Sequence, residues 1–182
     1  MGFFQYIKAV IKAVAEGHRI AKLTTEELLA LDDETLYFTI HLRLIWERRW
    51  KKSRDNYAEI YYDAKRVFYV VEQYDEEINN GGLCQYFTNP SRLAAPYLLS
   101  SLNEIGASAS AKLFSDFLTT NNIDVKDLSS FIIKDLSEFA KQNKRYPFDA
   151  YDDAFYKLCK EKPLNEYLIA YVRKHIDEFA ME

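Results

Sequence analysis

The chain has 182 residues, with 24 lysines and arginines against 28 aspartates and glutamates, and its formal net charge is −4. This length suits one domain over residues 1–182, and a hydrophobic content of 48% suffices for a buried core. The mildly acidic balance argues against nucleic acid as a direct partner, and no stretch approaches the roughly 18 apolar residues of a membrane span.

Amphipathic helical spacing, with apolar residues at i, i+3, i+4 and i+7, runs through nearly the whole chain. The first such pattern predicts an amphipathic helix over residues 3–16, packed on the rest of the domain and ended by Gly17. Lysines interrupt its apolar stripe and no cleavage site follows, which is not typical of a signal peptide, so we expect a cytoplasmic protein. Thr24 or Thr25 then caps a short helix that reaches Leu29.

The segment from Leu36 to Trp50 fits two periods. Its apolar residues alternate with polar ones as far as Leu44, which is the period of a strand, but the same residues also fit one face of a helix. Asp32 and Asp33 precede the segment and suit a helix N-terminus, and no other segment offers a pairing strand. We therefore predict a helix here.

The strongest helical pattern covers residues 56–78 and closes at two adjacent glycines, Gly81 and Gly82. One of these glycines should take the left-handed conformation of a helix stop. Beyond them, residues 83–88 fit a short helical turn, which the sequence Asn89-Pro90 breaks. The pattern therefore predicts a corner in the chain at the paired glycines.

Five further helices are predicted after this corner, with short connections between them. One of them starts at Asp124 and carries its apolar stripe as far as Phe139, and the last runs from Pro163 to Phe179. The sequence therefore predicts an all-α domain of about eight helices, with a short turn-helix after Gly81-Gly82.

The sequence contains no recognisable catalytic motif. The three histidines, His18, His41 and His175, lie on three different predicted elements, and none has a second ligand at i+3 or i+4 that completes a known metal motif. Cys84 and Cys159 stand in apolar surroundings and are expected to be reduced and packed. We predict no catalytic residue, no metal ligand and no cofactor.

Four acidic residues occupy the last turns of the strongest helix: Glu72, Asp75, Glu76 and Glu77. Negative charge at an exposed helix C-terminus is unfavourable by about 0.3–1 kcal/mol for each residue. A local rule broken in this way often marks function, so these four are predicted to contact a partner. The sequence leaves open whether this helix end is exposed.

The residues around the paired glycines also have a structural interpretation, which the sequence favours over a binding site. Amides from the asparagines would satisfy loose carbonyl groups, Gln85 would lock the turn, and the aromatic residues would bury the corner. The residues in question are Asn79, Asn80, Gly81, Gly82, Gln85, Tyr86, Phe87 and Asn89.

Charge is banded along the first third of the chain. Residues 23–42 hold five acids and no lysine or arginine, whereas residues 43–54 are strongly basic and include Trp50. The basic run could bind phosphates. Cations at a helix C-terminus also interact favourably with the helix dipole, and we favour that second interpretation. Patches of both signs favour a charged protein as the partner.

The run Glu77-x-Asn79-Asn80-Gly81-Gly82-x-x-Gln85-Tyr86-Phe87-x-Asn89 resembles the signature of a bacterial family of domains of unknown function that includes a neisserial DNA-mimic protein. Two further stretches are similar in the same order, Leu102-x-x-Ile105-Gly106-Ala107 and Asp152-Asp153-Ala154-Phe155-Tyr156 leading to Tyr171-Val172. The likeness spans roughly residues 33–174. It implies an all-α fold, a homodimer, no known catalytic activity, and carboxylates spaced like phosphates that occupy the DNA-binding face of a transcription regulator.

Three functions remain open at this point. The leading hypothesis is a non-enzymatic module that presents an acidic surface to a basic protein, such as a DNA-binding regulator, through the four acids at 72–77 with the acids at 26–34. The second is an enzyme with a pocket lined by Asn80, Gln85, Tyr86 and Asn89. The third is an immunity-type inhibitor of a toxin, which is physically close to the first.

Overall fold

The structure is a computed structural model, which describes residues 17, 19–20, 22–50 and 57–180. The predicted helix over residues 3–16 lies outside the described residues. Within them the chain forms nine α-helices and no strand. In chain order these are α1 (Thr25–Leu29), α2 (Asp33–Trp50), α3 (Asp63–Thr88), α4 (Ala95–Glu104), α5 (Ser108–Thr120), α6 (Leu136–Asn143), α7 (Phe148–Glu161), α8 (Leu164–Lys174) and α9 (Ile176–Phe179).

The all-α prediction is confirmed, and the ambiguous segment is helical as α2. Thr24 caps α1 with a reciprocal capping box, in which the Glu27 side chain accepts from the backbone N–H of Thr24. Short 3₁₀ turns at Tyr57–Glu59, Pro90–Ala94 and Ser129–Phe131 connect the longer helices.

Two predicted helices differ from the structure. The helix expected from Asp124 begins only at Leu136, after turns and a 3₁₀ segment, and Asp135 caps it by accepting from the N–H groups of Ser137 and Glu138. The last predicted helix is broken at His175 into α8 and α9.

Helix α3 is the centre of the domain, and α4, α7, α8 and the 3₁₀ turn at Pro90–Ala94 pack around it. Five of its buried side chains are aromatic, namely Phe68, Tyr69, Tyr74, Tyr86 and Phe87. The Tyr74 ring makes edge-on contacts with Tyr86, Phe114 and Phe155 at centroid distances of 5.3–5.8 Å. Such ring pairs contribute about 0.5–1.5 kcal/mol each beyond the area that they bury. The core therefore fixes the position of the second half of α3.

Arg43 belongs to the basic run at residues 43–54, but it lies in the core with only 2% of its surface exposed. Its guanidinium donates to the carbonyl oxygens of Phe179, Ile20 (2.7 Å) and Leu23 (3.0 Å). A buried cation needs such partners, because an unsatisfied charge in a core is strongly unfavourable. Arg43 thus joins α9 to the segment before α1 and does not contribute to a basic surface.

Both cysteines are unlinked, with Cys84 buried and Cys159 partly buried, as predicted. None of the helices in the described part of the chain is both long and apolar enough to cross a membrane.

Candidate functional site

The paired glycines divide α3 into two helical halves. Gly82 has φ 78° and ψ 177°, a region of backbone conformation that is essentially restricted to glycine. A Cβ atom on Gly82 would stand 2.2 Å from Oδ2 of Asp152, so space as well as conformation excludes a side chain. Gly81 is also non-helical, with φ −159° and ψ 22°. The predicted left-handed helix stop is matched in φ alone, because ψ of Gly82 lies far from the left-handed helical value.

Side chains of helix α7 form hydrogen bonds with the backbone groups that lose their helical partners at this break. Oδ1 of Asp152 accepts from the Leu83 N–H (2.9 Å), at the start of the second half of α3. The Tyr156 hydroxyl donates to the Ile78 carbonyl oxygen (2.8 Å), at the end of the first half. Burial raises the pKa of Asp152, and the bond from Leu83 partly offsets that effect. The Asp-Asp-Ala-Phe-Tyr stretch therefore acts as a cap for both ends of the corner.

Glu77 is the acceptor for three side chains that follow the corner. Its Oε2 accepts from Gln85 Nε2 (2.7 Å) and Asn89 Nδ2 (2.9 Å), and its Oε1 accepts from Ser91 Oγ (2.7 Å). Hydrogen bonds to a charged acceptor are stronger than those between neutral groups. This arrangement holds the second half of α3 and the following 3₁₀ turn against the first half.

The remaining residues of the sequence motif do not converge on a pocket. Tyr86 and Phe87 are fully buried core residues, whereas Asn80 is exposed. Gln85 and Asn89 point to Glu77, and Asn79 donates to the Asp75 carbonyl oxygen (2.8 Å). The four side chains predicted to line an enzyme pocket are thus divided between the core, the solvent and the Glu77 carboxylate.

The four acids at 72–77 do not form one exposed face. Glu72 is 3% exposed, Asp75 and Glu77 are partly buried, and only Glu76 is exposed. A docking surface needs accessible charges, so this set would contribute a single carboxylate to a partner. Glu77 instead accepts hydrogen bonds at the corner, and Glu72 lies in the interior of the domain.

Glu72 and Glu76 lie beside a histidine from α2. His41 Nδ1 is 2.8 Å from Glu72 Oε1 and 3.9 Å from Glu76 Oε1. The three side chains border a cavity of about 230 Å³, which is also lined by Gln73 and by apolar and aromatic residues such as Leu44 and Tyr69. Burial raises the pKa of Glu72, while His41 acts in the opposite direction.

Asp75 carries a charge that the fold disfavours. Burial, assisted by the neighbouring charge of Glu76, raises the pKa of its carboxyl from 3.8 to about 6, and the bond from Asn79 opposes the shift. Because the folded-state pKa is the higher one, the protonated form favours folding below pH 4, and that contribution is lost as the pH rises through 6.

We therefore expect Asp75→Asn to raise the free energy of unfolding by about 2 kcal/mol at pH 7.5 and to change it little at pH 4. Urea denaturation at both pH values measures the difference. Asp116→Asn, at an exposed position on α5, is the control for loss of a surface carboxylate. An equal effect of Asp75→Asn at both pH values would contradict this account.

An exposed aromatic residue lies next to the histidine on α2. The Phe38 side chain has 58% of its surface exposed, and its ring stacks on His41 at a centroid distance of 6.1 Å. Glu34 is exposed one turn earlier on the same helix, and positions i and i+4 share a face. Upstream, Glu26, Glu27, Asp32 and Asp33 are all exposed. Phe38 thus shares an exposed helix face with Glu34, whereas Asp33 already pairs with Arg173.

Sequence reasoning missed His41 and Phe38. A histidine on one helix and two glutamates 31 and 35 positions later carry no local signature, because only the packing of α2 on α3 brings them together. Phe38 did carry a signal, since it falls outside the apolar stripe formed by Leu36, Ile40 and Leu44 once α2 is taken as a helix. An aromatic residue on the polar face of a helix is a candidate contact residue.

The comparisons with known proteins give one match. A family model described as DMP19-like protein matches residues 61–175, which is more than half of the chain. No curated protein and no solved structure matches this chain. The matched region includes the glycine corner, the Glu77 contacts and the capping residues of α7.

Proposed function

This chain belongs to the DMP19-like protein family, and on that premise we propose that it is a non-enzymatic module that docks on a basic partner protein. The partner class that fits is a DNA-binding regulator, whose lysines and arginines would pair with carboxylates in place of phosphates. Membership of this family favours a DNA-binding regulator as the partner. The resemblance described above favours it too, because the family that the motif resembles includes a DNA-mimic protein.

The observation that carries the proposal is Phe38, a large apolar side chain that is exposed on the same helix face as Glu34. Interfaces typically gain most of their affinity from a few buried anchors, of which aromatic residues are the most frequent, while surrounding charges set orientation and partner choice. Phe38 would be the anchor, and Glu34 with the acids at 26–33 would supply the charges. This moves the proposed contact surface from residues 72–77 to α1 and the start of α2.

Competition is the mechanism that this surface would provide. A basic face that binds DNA cannot contact this protein at the same time, so the two ligands exclude each other. Long-range attraction between opposite charges speeds association at low salt and weakens as the ionic strength rises. Docking should therefore be salt-sensitive, whereas the contribution of Phe38 should persist at higher salt.

We expect Phe38→Ala and Glu34→Lys each to weaken binding to the partner at least about tenfold, because they remove the anchor and reverse a contact charge. The partner is first captured from an extract, then purified, and its dissociation constant and DNA retention are measured across a salt series. Ile132→Ala is the matched apolar control, since Ile132 is 59% exposed, and Asp116→Lys is the matched charge control.

Binding that ignores ionic strength and both α2 substitutions would contradict the proposal. Sedimentation equilibrium of the purified protein tests the homodimer that the resemblance implies. If Phe38→Ala dissociates such a dimer without affecting a captured partner, then Phe38 serves self-association and the proposed docking surface is wrong.

A further inference from the structure

We propose that His41, Glu72 and Glu76 form a binding site for a divalent transition-metal ion of the zinc or manganese class. The inference goes beyond the proposed docking function and does not depend on it. The three side chains come from two helices, and one ligand atom from each lies within 4.8 Å of the others. One imidazole nitrogen and two carboxylate oxygens are a ligand set that such ions accept.

The spacing of the ligand atoms fits a shared ion. Metal–ligand bonds of about 2.0–2.2 Å place neighbouring ligand atoms roughly 3–3.6 Å apart. His41 Nδ1 lies 2.8 Å from one glutamate and 3.9 Å from the other, so small rotations of these side chains would equalise the distances. Glu72 and Glu76 are one turn apart on α3, which directs both side chains to the same face.

The negative charge of Glu72 and Glu76 is a second reason to expect a bound cation. Glu72 is nearly buried and Glu76 is adjacent, and in the described part of the chain no lysine or arginine forms an ion pair with either of them. The His41 imidazole is therefore the only basic side chain among the described residues that pairs with these two carboxylates, which lie beside a partly enclosed cavity. A divalent ion would neutralise that excess, which is costly to bury without a cation.

The surroundings also provide what a metal site requires beyond its ligands. The cavity of about 230 Å³ beside the cluster leaves room for water or a further ligand in the open coordination positions, and the exposure of Glu76 provides entry. Three protein ligands with open positions differ from the closed four-ligand arrangement of purely structural zinc sites.

The full-length protein, treated with chelator and dialysed, is titrated with Zn²⁺ by calorimetry and followed by thermal unfolding. We expect one site per chain and a higher melting temperature with Zn²⁺ than with Mg²⁺, because Mg²⁺ prefers all-oxygen octahedral surroundings. His41→Ala, Glu72→Gln and Glu76→Gln should each weaken Zn²⁺ binding at least about tenfold.

The chain offers a matched control in a second histidine–glutamate pair. His175 Nδ1 lies 2.9 Å from Glu178 Oε1, yet this pair lacks a third ligand within the described residues. His175→Ala and Glu34→Gln should therefore leave Zn²⁺ affinity unchanged.

Circular dichroism shows which variants fold. If Glu72→Gln does not, His41→Ala and Glu76→Gln, at more accessible side chains, decide the outcome. Wild-type protein that binds no Zn²⁺, or binding that survives both of these substitutions, would overturn the proposal. Partner binding is a separate measurement, so failure here leaves the docking surface of Phe38 unaffected.

Discussion

Gly82→Ala should lower the free energy of unfolding by about 3 kcal/mol, the largest effect that we expect from adding a single methyl group to this protein. At φ 78° and ψ 177° an alanine is strained by roughly 1–3 kcal/mol. Its Cβ would also meet Asp152 Oδ2 at 2.2 Å, so the carboxylate must move. Moving it loosens the cap on the Leu83 N–H, and loss of a cap costs about 1 kcal/mol.

Gly106→Ala separates these two causes. Gly106 also has a positive φ of 84°, but a Cβ there would meet nothing within 4 Å. Its substitution should therefore cost only the conformational strain, about 1 kcal/mol. Urea denaturation of both variants under the same conditions gives the comparison. Equal losses for the two glycines would show that close contact with Asp152 contributes nothing to the requirement for Gly82.

Glu77→Ala is the second substitution with a large expected effect, again about 3 kcal/mol. It leaves the side chains of Gln85, Asn89 and Ser91 without their shared acceptor. Single hydrogen bonds to a charged group contribute about 1.5–3 kcal/mol, but the three losses should not add, because water reaches a partly buried site. Denaturant unfolding measures the loss.

Two substitutions test this account of Glu77. Glu77→Gln keeps one acceptor oxygen and should lose only about 1 kcal/mol. Glu76→Ala removes the adjacent, exposed glutamate and should stay within about 0.5 kcal/mol of the wild type. If Glu76→Ala were as destabilising as Glu77→Ala, general loss of negative charge from α3, and not the three hydrogen bonds, would be the cause.

The sequence predicted the fold class and the corner because both depend on local signals. The upstream capping residues and the lack of a pairing strand identified α2 despite its alternating pattern, and two adjacent glycines marked the break in α3. The helix predicted from Asp124 was wrong for a physical reason. The Asp124 and Asp127 carboxylates accept from the N–H groups of Lys126 and Ser129, at 2.9 and 3.1 Å, and these local bonds compete with the helical pattern.

The candidate sites depended on contacts that no local pattern records. Glu77 was predicted to face a partner because an acid near a helix C-terminus is unfavourable when exposed. In the structure, the Gln85 amide and the Ser91 hydroxyl donate hydrogen bonds to Glu77 and offset the unfavourable effect of its charge at the helix end. Likewise, the meeting of His41 with Glu72 depends on how α2 crosses α3. Sequence spacing identifies unusual residues, whereas only the packed structure shows which group each of them serves.

The cap supplied by α7 has a consequence for the order in which the protein folds. Leu83 and Asp152 are 69 positions apart, so the start of the second half of α3 gains its hydrogen-bond acceptor only after a long loop has closed. Closing such a loop costs entropy that a local helix does not have to overcome. Residues 63–80 can therefore become helical early, whereas residues 83–88 should become protected from solvent exchange together with α7. The longest helix of this domain then consists of two cooperative units.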